Sequence, residues 1–305
     1  MAYVKTFFLL SVMTAIFMFI GYSLGGTQGM VIAFVVALGM NIFSYWKSDK
    51  IVLKMYKAVE VNPAEHPQII DMVEELARHA DIPVPKAYIM ENEQPNAFAT
   101  GRNPENAAVA MTTGIMKLLS HDELKGVMAH ELAHIKNRDT LTMTITATIA
   151  GAIGMVAQWA RFMGGGMSRG RGGSGRGGIM VLVVALIAPI AATVVKMAIS
   201  RTREYQADRI GSEICGDPLS LAHALAKISN GTANVPNEDA ERHPESSHLF
   251  IMNPLSGGGF NSLFSTHPNT QSRIDKLVEL SKTMNYKDKG YVRSPSQRKK
   301  GTFDL

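Results

Sequence analysis

The chain has 305 residues, enough for one large domain or two ordinary ones, and its 31 Lys and Arg against 26 Asp and Glu give a formal charge of +5. Aliphatic residues and Met are clumped into stretches nearly free of charge while the remainder is densely polar, so a uniformly soluble globule is excluded in favour of a membrane protein with a polar globular part. A single cysteine, Cys215, excludes a disulfide within the chain, and beside Ile214 and Gly216 it reads as a packed apolar residue.

The first apolar span covers residues 6–24 and the second residues 30–46. Each is close to the ~20 residues that a helix needs to cross a hydrocarbon core of ~30 Å. Only Gly25-Gly26-Thr27-Gln28-Gly29 separates them, which predicts a tight antiparallel hairpin over residues 1–46. No Ala-x-Ala-like site precedes the second span, so the first reads as a signal anchor rather than a cleaved signal. Tyr45 and Trp46 close the second span at the interface, and Lys47, Lys50, Lys54 and Lys57 follow at once. With Lys5 before the first span, these lysines put both ends of the hairpin in the cytoplasm. They also account for the net charge as attraction to anionic lipid heads.

Residues 47–140 read as the first part of a cytoplasmic domain. Asn62 as cap and Pro63 at the first position predict a helix over residues 63–80. Ile69, Met72, Val73 and Leu76 form its apolar face. Three short runs bounded by turn residues, 86–90, 97–100 and 107–111, predict a small antiparallel or mixed sheet. Ser120-His121-Asp122-Glu123 is a capping box, opening a helix through Leu124, Val127, Met128, Leu132 and Ile135. No Pro or Gly interrupts residues 127–150, so this helix is expected to run directly into a third apolar span beginning at Leu141.

That span and a fourth, residues 179–199 with Pro189, predict a second apolar hairpin over residues 141–199. Its connection, residues 164–178, is Gly-rich and holds Arg169, Arg171 and Arg176. It has no aromatic on which a base can stack, so it reads as a flexible loop and no nucleic acid is expected as partner. A full crossing would put this basic loop on the outer face, against the charge rule, so the depth of the second hairpin stays open. Residues 200–286 return to the soluble domain. Helices are predicted over 200–214, from Asp217-Pro218 onward and over 273–284, with a polar loop over 230–247. Residues 287–305 have the composition of a disordered basic tail.

His130-Glu131-Leu132-Ala133-His134 lies on the capped helix. Side chains four residues apart share a helical face, so both imidazoles can reach one ion, while Glu131, offset around the helix, can reach a water beside it. A catalytic zinc takes three protein ligands, keeps one position open and brings the pKa of water near ~7, where a carboxylate can deprotonate it. A third ligand is available in Arg203-Glu204-Tyr205-Gln206-Ala207-Asp208. Glu204 and Asp208 share a face, so one can bind the ion while the other orients an imidazole. His134 lies about seven residues before the third span and Glu204 about five after the fourth, each roughly 10 Å from the membrane edge. A hairpin returns both to one surface. His66, His79, His121, His243 and His248 read as ordinary polar residues.

Taken together these motifs resemble the HtpX family of membrane metalloproteases, related to the CAAX prenyl proteases. The likeness runs through the amino-terminal apolar pair, Gln94-Pro95-Asn96-Ala97-Phe98-Ala99-Thr100-Gly101, the His130–His134 motif, Arg203 to Asp208, Met252-Asn253-Pro254-Leu255 and Thr266-His267-Pro268. Asn269 stands where the family usually has a second proline. The resemblance implies an α-helical membrane protein with an α+β, zincin-like (thermolysin-like) protease domain. It implies one Zn2+ per chain on His130, His134 and Glu204, with Glu131 as general base and Asp208 behind the ligands. It also implies that His267 and Arg273 line the active site, where a donor can stabilise an oxyanion. Asn96, Ala97, Phe98, Ala99 and Thr100 resemble the edge strand on which such proteases lay an extended substrate, whatever its sequence.

The function implied is that of a zinc metalloendopeptidase in the bacterial inner membrane, multi-pass, with its catalytic domain in the cytoplasm. Its partners would be the lipid bilayer, other membrane proteases, and misfolded or damaged membrane proteins cleaved as extended peptides in quality control and stress response. Two alternatives are a silent zincin-like scaffold and a membrane-tethered RNA-binding protein. The scaffold would have lost Glu131 or a ligand, and none is lost; the RNA-binding protein would depend on the arginines of residues 169–176.

Overall fold

The computed structural model describes residues 2–147, 201–255 and 269–284. The expected second hairpin beyond residue 147, the Gly/Arg-rich loop, His267 and the basic tail lie outside them. Among the described residues the molecule is mostly helical with one small mixed sheet.

Helix α1 (Ala2–Met55) is broken at Gly25 and Gly26, where the backbone leaves helical geometry and Gly26 takes a φ of 60°. A residue without Cβ tolerates that conformation, so the break folds α1 into two antiparallel arms. Asn41 Nδ2 joins them by donating to Thr14 Oγ1 at 2.9 Å. Thr6–Ser23 and Gly25–Lys47 are long and apolar enough to cross a membrane, and Phe7, Phe19, Ile32, Val35 and Phe43 face outward. In water such a surface is unfavourable; in lipid it is the expected one.

The sheet comprises β1 (Val59–Glu60), β2 (Lys86–Met90), β3 (Ala97–Gly101) and β4 (Ala107–Thr112) in the order β1-β2-β4-β3. β2 and β4 run parallel, and both outer pairs are antiparallel. β1 has only two residues, too few for a periodic signal, and was not expected. Both faces of β3 and β4 are covered. One packs Ala97, Ala99, Val109 and Met111 against the helical core, and the other packs Phe98, Ala108 and Ala110 against Val52, Tyr56 and Phe250. That is why these strands read as unbroken runs of small and apolar residues rather than as alternation. The rings of Tyr56, Phe98 and Phe250 meet with centroids 4.9, 5.3 and 5.8 Å apart, tying the end of α1 to the sheet.

Helices α2 (Pro67–Ala80), α3 (Thr113–Leu118) and α4 (His121–Lys136) complete the first half. α2 begins four residues later than expected. Asn62 accepts from the N–H of Ala64, Glu65 and His66, which closes a separate turn and leaves Pro67 to start the helix. α4 opens on the expected capping box of Ser120 and Glu123. It does not continue into the third span. Asn137 and Arg138 end it with bonds back to Ala133 and Ile135, Arg138 sits at φ 60°, and a new helix α5 covers residues 139–147. A non-glycine residue in left-handed geometry leaves no sequence signature comparable to Gly or Pro.

The second half holds α6 (Arg201–Cys215), α7 (Pro218–Asn234, capped by Asp217), α8 (Glu238–Arg242) and α9 (Thr270–Thr283, capped by Asn269). The expected polar loop over 230–247 is therefore largely helical. Asn237 caps α8, a 3-10 turn spans Pro244–Leu249, and His248, buried, bonds the Met143 carbonyl. The helical core of α2, α4, α6, α7 and α9 has α4 at its centre, buried along nearly its whole length.

α6 approaches α4 so closely that a Cβ on Gly211 would lie 2.9 Å from both N and Cα of His130. Backbone cannot yield as a side chain tip does. Replacement Gly211→Val is therefore expected to push α6 off α4 and cost about 1–3 kcal/mol, read as a lowered thermal midpoint of the detergent-solubilised protein.

Candidate metal centre

α4 supplies three of the candidate residues on one turn and a half. Its length is buried, so His130, Glu131 and His134 are each no more than 4% exposed. The two imidazoles stand edge to face, with ring centroids 4.8 Å apart. From α6, Glu204 reaches both: its carboxylate oxygens lie 3.7 Å from His130 Nε2 and 3.7 Å from His134 Nε2. One donor atom from each of the three lies within 4.8 Å of the others, so the set can hold a metal ion. Spacing alone left Glu204 and Asp208 interchangeable, and the geometry separates them. Asp208, one turn further along α6, turns to the other nitrogen of His130, with Oδ1 3.0 Å from Nδ1.

Asp208 is itself gripped by Arg273 of α9. Nε and Nη2 of the guanidinium donate to its two oxygens at 2.9 and 2.7 Å, a fork-on-carboxylate pairing. Burial opposes ionisation of Asp208, but Arg273 and His130 outweigh it and hold the carboxyl well below the usual range. Arg273 is 1% exposed, also donates from Nη1 to the Ile251 carbonyl at 3.2 Å, and lies 3.9 Å from Glu204. Arg273 therefore stands against His130 and Glu204, as countercharge to Asp208.

Burial, aided by the Arg273 charge, lowers His130 below the ordinary imidazole range, against the pull of Asp208. That favours the neutral ring a metal needs. For His134 burial also disfavours the charge, yet the Asp139 bond, Glu204 and Glu131 together raise it to about 9. Burial pushes Glu131 up to about 7, with Glu204 adding to the rise, while His134, Arg273 and the Ala99 N–H restrain it. A carboxyl so placed can exchange a proton near neutral pH.

β3 passes beside this carboxylate, since Ala99 donates its N–H to Glu131. It is the last strand of its sheet, as expected of Asn96 to Thr100, but its outer edge is partly engaged. Ile251 N–H donates to the Ala97 carbonyl at 2.9 Å, and Phe250 faces Phe98 across an antiparallel bridge. The Asn96 amide holds Met252, donating to its carbonyl at 2.8 Å and accepting its N–H at 3.2 Å. Gln94 likewise donates to the Pro254 carbonyl at 3.0 Å. Two motifs far apart in sequence, around residues 94–101 and 252–255, are thus one hydrogen-bonded unit. Thr100 turns away to Thr144 of α5.

One residue escaped the sequence reading. Asp139, at the start of α5, places Oδ2 3.3 Å from His134 Nδ1, and Arg203 Nη1 lies 3.7 Å from its Oδ1. The only sequence signal was an acidic residue five beyond His134, hidden by the expectation of an unbroken helix.

A histidine pair and a glutamate on crossing buried helices, with a second carboxyl poised beside an edge strand and an apolar helical hairpin attached, define a membrane metallopeptidase. The comparisons narrow this to a family: the model for peptidase family M48 matches residues 63–281, and the chain belongs to that family. It is 58% identical over 276 residues to the protease HtpX homolog of Methylibium petroleiphilum, covering 90% of this chain and 96% of that one. The crystal structure of S. mikatae Ste24p is matched over 88% of this chain at 18% identity, with a TM-score of 0.47; the chain spans 62% of the length of that protein.

The Arg273–Asp208 pair gives a direct expectation. Arg273→Met strands a buried carboxylate and should cost about 3–5 kcal/mol of stability, seen as a lowered thermal midpoint. Arg273→Lys should recover only part, because an ammonium lacks the fork. An unchanged midpoint in Arg273→Met would contradict the assignment.

Proposed function

We propose that this chain is a zinc-dependent endopeptidase of the bacterial inner membrane, with a zincin-like catalytic domain facing the cytoplasm. The observation that carries the reading is the convergence of His130 Nε2, His134 Nε2 and the Glu204 carboxylate, buried together, with Glu131 beside them. Two imidazoles and one carboxylate are the donor set that catalytic zinc favours, and the site holds no thiol that would mark a structural one. When bound, the ion supplies Lewis acidity: it acidifies water and polarises a peptide carbonyl.

The rest falls to the protein. Glu131 is held with a pKa about 7, where it can take a proton from water and return it to the departing amine. A peptide aligned on β3 is brought beside Glu131, because Ala99 already directs its N–H there. Backbone pairing of this kind reads no side chains, which suits unfolded segments of many membrane proteins as substrates. Ile251 and Met252 share that edge, so a peptide must align past them or displace them. His267 joins the active-site set on its sequence motif alone. The lysines flanking the two apolar spans of α1 support the cytoplasmic orientation. The scaffold reading finds no support, since Glu131 and all three ligands are present.

The test is casein cleavage by the purified protein with and without zinc. Glu131→Ala should keep its metal and lose activity by about 10²–10⁴-fold, while Glu204→Ala should lose zinc content. Equal cleavage by wild type and Glu131→Ala would end the protease reading, and unchanged metal stoichiometry in Glu204→Ala would remove Glu204 from the centre.

A further inference from the structure

Each imidazole of the centre has a carboxylate behind it, and each carboxylate has an arginine behind that. Asp208 stands at 3.0 Å from His130 Nδ1 and is paired with Arg273. Asp139 stands at 3.3 Å from His134 Nδ1, with Arg203 3.7 Å from its other oxygen. The first arrangement is built from α6 and α9, the second from the start of α5 and from Arg203 of α6.

Asp139 reaches His134 only because the helix breaks. Along an uninterrupted helix, at about 100° per residue, a residue five positions on would point roughly 140° away. The turn at Asn137 and Arg138, with Arg138 in the left-handed region, swings the chain back so that Asp139 faces the ring. His134 is 4% exposed and Asp139 7%, so water does not substitute for the contact.

We infer that Asp139 is a positioning residue for His134. It accepts the Nδ1 proton, which fixes the tautomer with Nε2 free to face Glu204, and it stops rotation of the ring. Arg203, one residue before Glu204 on α6, stands 3.7 Å from the other oxygen of Asp139 and helps to orient the carboxylate toward the ring. Partners of this kind set the orientation and basicity of a ligand imidazole. The inference rests on the reading of the centre as a metal site. An acidic residue in the first turn of α5 also favours the helix dipole, so the test must separate that role from this one. Asp, Asn and Ser all begin helices well, but Ser is too short to reach the ring.

The experiment uses the full chain in detergent, stripped of metal and titrated with zinc against a chelating indicator. Asp139→Ser should bind zinc about 10–100-fold more weakly than wild type. Asp139→Asn should stay near wild type, because its amide oxygen accepts the same proton. The metal-free melting temperature of Asp139→Ser should fall, because its buried pair with His134 is lost, and that of Asp139→Asn should fall less. Wild-type affinity in Asp139→Ser would overturn the inference, as would equal losses of metal-free stability in both variants. A wild type that binds no zinc would overturn the metal reading together with this one.

Discussion

The structure depends on placing ionisable groups in a buried space without leaving any charge alone. His130, His134, Glu131, Glu204, Asp208 and Arg273 are each no more than 5% exposed. Unpaired, any of the carboxylates or the guanidinium would cost several kcal/mol. The arrangement resolves this by pairing Asp208 with Arg273, His134 with Asp139, and aiming the remaining donors of Glu204 and the two imidazoles at one point. Glu204 stands 3.7 Å from each imidazole and 3.9 Å from Arg273, and its carboxylate with the two Nε2 atoms makes a donor set that a divalent cation can take. The same burial that makes the cluster costly raises Glu131 toward neutral pH. One constraint therefore produces both a donor set that could hold a metal and a carboxyl that can exchange a proton near neutral pH.

The surrounding fold follows from holding this cluster together. α4 must be central, since it carries three of the residues. α6 must come within backbone contact, which Gly211 allows. α9 must deliver Arg273, and the segment before it, residues 250–255, is fastened to Gln94 and Asn96. The membrane hairpin is coupled to the same unit through the Tyr56, Phe98 and Phe250 rings, so the end of α1 packs on the strand that runs beside Glu131.

Much of this was legible in sequence, for physical reasons that can be named. The apolar arms of α1, the capping box of α4, the apolar strands and the helical spacing of His130 and His134 are local signals, written within a few residues. Strands 86–90, 97–101 and 107–112 were found nearly to the residue because turn residues bound them. The misses share a cause: they depend on contacts distant in sequence or on backbone states without a residue signature. The start of α2 moved because Asn62 closed its own turn. The break at Arg138 is a left-handed non-glycine residue. α8 and the turn before Phe250 form in a polar stretch, held there by Asn237 and by packing against α1 and α5. Asp139 was missed because the break was. Arg273 was expected at the site, but its engagement with Asp208 required knowing that α9 crosses α6.

The central claim is that the two imidazoles of α4 and the carboxylate of Glu204 grip one divalent ion. X-ray absorption at the zinc edge of the detergent-purified full chain tests it most directly. The account predicts one zinc per chain, with scattering from two imidazole rings, oxygen in the remaining positions and no sulfur. A zinc shell containing sulfur, or one made of oxygen alone, would contradict it.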